Sequence, residues 1–500
     1  MTKKKRKMKN KKIVVLGGGN AGFMTALFIK KLIDVDMTVV HSQEKGTVGV
    51  GEATVPDIRD FIERYLEIDM KDFMSKTKST IKNGIKFENW NGDGNYFYHP
   101  FTPAGWEHMF KYADSNNGNS WFKYETYQKQ NIQKNNKFHE FDYGSMLSEQ
   151  NKVSDDLNYA LHFDNFLVTE YYKNLCIERG IKVIDDEYLD ANLDEDGYIK
   201  SLKFKKIDNL ECDFVFDCSG FSKLIMNKKY NIDWQKYKDL AVNEAIIFNT
   251  ETNPDDEIRP YTQATALKNG WVFEIPLRHR IGRGYIFDNN FTSTDKAVEE
   301  VIENYGEVDF KKDIRFTAGR LKNFWYKNCI AIGLSASFIE PLESTSIWFT
   351  TFQLTQLSTT LHALFEKEKV HYMRSMYDKV MSTTSDHLKD FVHYHYLGKR
   401  QDSMFWKSFK ETYKSSDFIN YMLEVMKYGD YQEGMIDQNA LLKFTFNGWL
   451  AISHGLGIIE PDKMMIDERE LTPSVVDGTN WFKTMAENSE SHLKVLKDLE

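Results

Sequence analysis

Gly17, Gly19 and Gly22 stand in a G-x-G-x-x-G pattern, directly after the apolar run IVVL at 13 to 16 and directly before FMTALFIKKL. That spacing allows a tight turn, a close backbone approach to a pyrophosphate, and a helix start whose amides meet the phosphate charge. The chemistry it suggests is dinucleotide binding; the bland reading is a glycine-rich turn without a ligand. Folds of this kind often hold ribose with an acid at the end of the second strand. Here that point offers His41, Ser42, Gln43 and Glu44. His41 or Ser42 can donate to the ribose hydroxyls and Glu44 can accept from them, which weakens NAD as the ligand more than it weakens nucleotide binding. The four cysteines, Cys176, Cys212, Cys218 and Cys329, lack the spacing of a metal knuckle and are too few for a disulfide scaffold. They read as buried thiols, and no metal is expected.

The elements that must position these residues follow from periodicity. IVVL, the glycine turn, an amphipathic helix and DMTVVHS at 36 to 42 form a β-α-β opening. A helical pattern runs around 57 to 82 and stops at Asn83-Gly84. IKFENW at 85 to 90 reads as a strand, and 91 to 106 as a loop or irregular strand crossing a cleft. Residues 155 to 180 read as helical, 181 to 204 as strands joined by an Asp-Gly turn, and 211 to 220 as a buried strand ending on glycine. WVFEIPLRHRIGRGYIFD at 271 to 288 supplies strands of a substrate-side sheet; a strand, a turn and a long helix follow from 321. The fold class is α/β, a discontinuous Rossmann-like module interleaved with a substrate sheet, plus a helical C-terminal lobe. The predicted divisions are a basic flexible tail at 1–12, the interleaved modules at 13–350, and a mainly helical lobe at 351–500 that completes the substrate pocket.

A chain of 500 residues can bury a large dry core around a reactive site. Its net charge of -9 gives no overall positive field for nucleic acid or an anionic membrane. The exception is the run MTKKKRKMKNKK, read as a solvated tail because no aromatic residue interleaves it. A signal peptide's apolar stretch and a bilayer-spanning segment are both missing from the sequence, so a cytoplasmic location without membrane attachment is expected.

Three further segments carry a specific resemblance. GVGEATVP at 49 to 56, GWVFEIPLRHRIGRGY at 270 to 285 and GLSASFIEPLEST at 333 to 345 occur in an order and spacing similar to those of the flavin-dependent tryptophan halogenases. DCSG at 217 to 220 and the glycine turn fit the same frame, and the resemblance covers residues 11 to 350 best. It implies an FAD-binding Rossmann-like module whose reduced flavin (FADH2) reacts with oxygen. In that family the flavin hydroperoxide oxidises chloride, bromide or iodide to hypohalous acid, which passes through a tunnel to an aromatic substrate. It further implies a separate NAD(P)H-dependent flavin reductase that supplies FADH2, and it leaves room for a homodimer.

Residue by residue, the resemblance implies cofactor contacts at Gly17, Gly19, Gly22, His41, Ser42, Ala53 and Gly333. The family lysine matches Lys82, whose ammonium can donate to HOX or whose amine can form a haloamine; the bland role is to end a helix. The family glutamate matches Glu343, a carboxylate able to stabilise a cationic ring intermediate and accept its proton. Glu340 matches the earlier glutamate, for which a structural role stands equally. Halide contacts fall on the amides of Thr345 and Ser346, where relatives have glycine at the second position; serine enters left-handed backbone less readily. The W-x-W-x-I-P signature is Trp271, Phe273, Ile275 and Pro276, with Phe in place of the second Trp. Substrate contacts fall on His99 and Phe101, whose faces can sandwich an arene, and on Phe444, Phe446 and Trp449. The tyrosine pair and glutamate that grip free tryptophan are not recognisable near 425 to 445, which favours a simpler indole, phenol or other arene. Two other readings stay open on the sequence alone: a flavin-dependent aromatic monooxygenase, and a noncatalytic flavin- or polyanion-binding protein.

Overall fold

The computed structural model describes residues 6–44, 46, 49, 51–102, 120–253, 255–367, 370–428, 443–464, 466 and 473–500. Ile13 to Leu16 are almost fully buried, as a strand covered on both faces requires. They belong to β1 (Arg6–Leu16), which is followed by α1 (Asn20–Leu32) and β2 (Ile33–His41). β1 pairs in parallel with β2 on one side and with Phe214–Asp217 on the other. Lys182–Asp185 extends the sheet beyond β2, and Cys329–Ala331 with the antiparallel edge Trp325–Tyr326 extends it beyond Phe214–Asp217. Its strands come from three distant stretches of chain, the discontinuous module expected from sequence.

A second sheet of seven strands runs Asp309–Arg315, Glu244–Glu251, Arg280–Phe287, Gly270–Pro276, Thr262–Ala266, Gly84–Glu88 and Tyr96–Pro100. A small three-stranded sheet has Ala160–Phe163 at its centre, with Glu52–Ala53 on one side and Thr80–Lys82 on the other. It therefore ties the predicted flavin-side residue Ala53 and the predicted lysine to one strand. Asp164, just past that strand, accepts from the Phe166 and Leu167 amides at the start of helix Asn165–Glu178 and from Arg280 Nη2 at 2.6 Å. One carboxylate thus caps a helix packed on α1 and anchors the seven-stranded sheet.

Four sequence expectations change. β1 begins at Arg6, so residues 6–12 of the predicted flexible tail are strand, while 1–5 lie outside the described residues. Lys11 and Lys12 there pair with Asp213 and Glu211 at 2.8 Å, which removes the repulsion that would keep a basic run loose. The helical pattern of 57 to 82 ends at Thr77, because Lys78 adopts a left-handed conformation that closes the helix. Lys82 consequently sits on a strand and not at a helix end. The segment predicted as an irregular crossing contains the regular strand Tyr96–Pro100, and 103–106 lie outside the described residues. In 155 to 180 only Asn165–Glu178 is helical, preceded by strand Ala160–Phe163.

From Thr345 onward the described elements are helices apart from the two-residue strand Glu490–Ser491. None of the described helices is long and apolar enough to cross a membrane. The four thiols are free and buried, and burial pushes those of Cys176 and Cys212 up to about 12.

Candidate active site

The glycine turn has the shape a dinucleotide needs. Gly17 has φ +126°, and a Cβ there would stand 2.2 Å from the Cys218 carbonyl oxygen. Gly22 packs as tightly, a Cβ meeting the Gly17 carbonyl at 1.9 Å. Gly19 is the contrast: it caps α1 with no side-chain hydrogen bond, and among the described residues nothing lies within 4 Å of where its Cβ would be. The turn is therefore pulled down onto the sheet at two glycines and left open at the third, in front of a helix start with no acid in its first turn. These residues fit the pyrophosphate of FAD. His41 ends β2, half-buried against Gly18 and edge-on to Phe23 at 5.9 Å; burial first, then Lys173, keeps its pKa low. Ser42 follows, and Asp185 accepts from the Gln43 amide at 2.9 Å. Gly333 has φ +71° against Ala21, and its N–H already donates to Gln353 at 2.9 Å, so its predicted cofactor contact would run through other atoms.

Lys82 is wholly buried. Its Nζ donates to the Thr54 carbonyl at 3.0 Å and to Ser344 Oγ at 2.9 Å, and lies 5.5 Å from the Phe101 ring centroid. Burial lowers its pKa to about 7, against the opposing pull of Glu343. Ser344 adjoins Glu343, so the predicted lysine is tied by a hydrogen bond to the residue next to the predicted glutamate and feels its charge.

Glu343 is 2% exposed yet strongly acidic. Burial pushes its pKa up, but His99 and His395 outweigh burial and bring it to about 2. His99 Nδ1 approaches Oε2 at 2.9 Å, and His395 Nε2 approaches Oε1 at 2.7 Å. His395 was not anticipated from sequence; the only signal was the run HYHYL at 393 to 397. Glu340 is equally buried but differs from Glu343 in its partners and its charge. Burial raises it to about 8; the Tyr396 hydroxyl donates to Oε1, Trp271 Nε1 donates to that hydroxyl at 2.8 Å, and among the described residues Oε2 has no hydrogen-bond partner. One is a clamped carboxylate, the other a neutral acid in the core.

Thr345 and Ser346 open helix Thr345–Leu357, behind Ser344, which takes the left-handed conformation (φ 57°) and makes no side-chain cap. The conformational concern attached to serine at 346 therefore falls on 344. Trp271, Phe273, Ile275 and Pro276 are all buried on strand Gly270–Pro276, the first three on one face.

His99 is held by Glu343 with its ring tilted toward Phe391 at 5.7 Å and Phe444 at 6.0 Å, while Phe101 lies beside Lys82. Phe444 stacks on Phe391 at 3.8 Å, and Trp449 meets Phe391 edge-on at 4.7 Å. His99, Phe444 and Trp449 thus gather around Phe391, a member the sequence reading missed. Phe446 is buried beside Lys129, whose Nζ is 5.4 Å from its ring centroid. A shallow pocket lined by His387, Leu388, Phe418, Lys443, Phe444 and Trp449 opens on this cluster. Of the stretch 425 to 445, in which the amino-acid grip of relatives was not found, residues 429–442 lie outside the described residues.

A family model described as tryptophan halogenase matches residues 12–469. The chain is 32% identical over 426 residues to the tryptophan 6-halogenase SttH of Streptomyces toxytricini, covering 80% of each. It is 31% identical over 425 residues to the 7-chloro-L-tryptophan 6-halogenase KtzR of Kutzneria sp. (strain 744), covering 80% of this chain and 81% of KtzR. Among solved structures, that of SttH superimposes with a TM-score of 0.84 at 28% identity, over 98% of this chain and 100% of its own. The flavin-dependent halogenase BrvH from Brevundimonas sp. BAL3 gives 0.81 at 27% identity, over 98% and 99%.

Proposed function

This chain belongs to the tryptophan halogenase family, and we propose that it spends reduced FAD, oxygen and a halide ion to halogenate an electron-rich ring seated near Lys82 and Glu343. It is a flavin-dependent halogenase acting on an aromatic compound. Bound reduced FAD supplies two electrons to oxygen and the halide supplies the other two, leaving hypohalous acid and water. The reduced cofactor comes from a separate NAD(P)H-dependent flavin reductase. Relatives named as tryptophan halogenases point to an indole as the ring class; a phenol is the other electron-rich ring to test.

The observation that carries this reading is the buried hydrogen bond from Lys82 Nζ to Ser344, the residue next to Glu343, whose charge acts on the amine. An amine with pKa about 7 exists in both forms at neutral pH. Its ammonium donates a hydrogen bond to HOX, while its free amine exchanges a proton for the halogen and releases water. Attack by the ring leaves a cation. Glu343, ionised at working pH, stabilises that cation and accepts the departing ring proton. Thr345 and Ser346 offer helix-start amides to the halide, and the Trp271 to Pro276 wall excludes water.

The test is anaerobic photoreduction of FAD on the enzyme, then oxygen, bromide and a panel of indoles and phenols, with products read by mass spectrometry. Brominated arene is expected; hydroxylated arene, or no product, overturns the reading. Lys82→Ala is expected to abolish arene bromination with the FAD Kd unchanged, and undiminished turnover would remove the lysine from the mechanism.

A further inference from the structure

Among the described residues Thr80–Lys82 is an edge strand: it pairs with Ala160–Phe163 on one side only, in the register Ile81 opposite Leu161. The open side presents the Ile81 N–H, buried one residue before the lysine. A buried amide needs an acceptor, and here the acceptor comes from the far end of the chain. His492 Nε2 takes the Ile81 N–H at 3.0 Å, and Nδ1 donates to the Ile258 carbonyl at 2.8 Å. His492 is completely buried and opens the last helix, His492–Lys497, beyond residue 469 where the family model ends. The two bonds require the neutral tautomer with its proton on Nδ1.

A second tether runs to the other neighbour of the lysine. Asn83 Nδ2 donates to the Lys152 carbonyl at 2.9 Å. Lys152–Val153 pairs antiparallel with Glu490–Ser491, the strand leading into His492. Lys152 Nζ also donates to the Ala486 and Glu487 carbonyls at 3.1 and 2.8 Å. The residues before and after Lys82 are therefore both fixed to the C-terminal segment, one directly and one through Lys152.

We propose that His492 is a positioning residue for halogenation: its imidazole replaces the missing neighbour strand and holds the Lys82 amine in line with Ser344 and Thr54. The proposal rests on the role given above to Lys82. Flexing of the edge strand would carry the amine away from its partners without touching either the flavin turn or the aromatic cluster.

The test uses the full-length enzyme loaded with FAD and follows bromination at saturating arene. His492→Phe fills the volume without an acceptor, His492→Gln restores one acceptor and one donor, and Leu496→Ala loosens the same helix while leaving both imidazole bonds. The expected result is a kcat at least tenfold lower for His492→Phe, with KM and the FAD Kd within twofold of wild type. Substantial recovery is expected in His492→Gln, and kcat within twofold in Leu496→Ala. Where phenylalanine is not accommodated, His492→Asn, whose amide falls short of Ile81, gives the same readout. Wild-type kcat in the Phe or Asn variant, or an equal loss in Leu496→Ala, overturns the proposal. Lys82→Ala in parallel separates the two claims. Full activity there removes the lysine assignment, whereas an inactive Lys82→Ala beside an active His492→Phe removes only the role of His492.

Discussion

Glu343 stays ionised in a place where water cannot reach it because two imidazoles point at its oxygens. Glu340, three residues earlier, stays neutral because burial dominates and, among the described residues, its donors are a phenol and an indole and carry no charge. Two acids of one motif thus differ by environment alone, and the motif by itself could not assign their roles. Glu343→Gln keeps the shape and removes the charge. Turnover is expected to fall by about 100-fold or more, the lower range of general acid-base contributions, while KM for the arene stays within twofold; a parallel rise in KM would assign Glu343 to substrate binding instead. The pH dependence has a definite sign. The folded pKa of about 2 lies below the ordinary carboxylate value, so the charge is present through neutral pH and is lost only as pH falls toward 2. An acid limb in the rate profile near neutrality therefore belongs to another group; Lys82, at about 7, gives such a limb where its free amine carries the halogen and none where its ammonium holds HOX.

At the scale of elements, the glycine turn makes two separable demands. Gly17→Ala forces a side chain into left-handed backbone and onto the Cys218 carbonyl, and is expected to cost about 1–3 kcal/mol from backbone strain alone, visible as a lowered Tm. Gly19→Ala meets no atom of the described residues and is expected to fold normally while weakening FAD about tenfold, measured by flavin fluorescence. Normal FAD affinity in Gly19→Ala would mean that the phosphates do not pass over this residue. The turn was legible because everything that defines it is local. The same holds for the strand Gly270–Pro276 and for the Pro341 to Thr345 segment. The lysine strand was not legible. Helical periodicity runs through MKDFMSKT into STIK, and only Lys78, adopting a conformation rare outside glycine, breaks it. His395 and His492 were beyond reach for another reason: they meet Glu343 and Ile81 across 52 and 411 residues of chain. Such pairings leave no periodic trace in a single sequence.

At the scale of the whole molecule, Asp164 links the nucleotide-binding side to the seven-stranded sheet. Burial pushes its carboxyl up, but hydrogen bonds from His279 and Arg280 and the Arg280 charge hold it well below the usual carboxylate range. Asp164→Ala leaves Arg280 without its carboxylate and uncaps a helix, an expected loss of about 3 kcal/mol for a broken buried pair, read from urea unfolding. The contribution of Asp164 is complete above the ordinary aspartate pKa and is lost as pH falls through its depressed folded value, so the variant's deficit should shrink in acid. A deficit independent of pH would trace the loss to packing. The placement of the thiols has a consequence for the lifetime of the catalyst. Hypohalous acid consumes accessible sulfur rapidly, above all as thiolate. With Cys176 and Cys329 fully covered, Cys212 and Cys218 nearly so, and all four held protonated by burial, oxidant that strays from its path finds no ready sulfhydryl in the protein that made it.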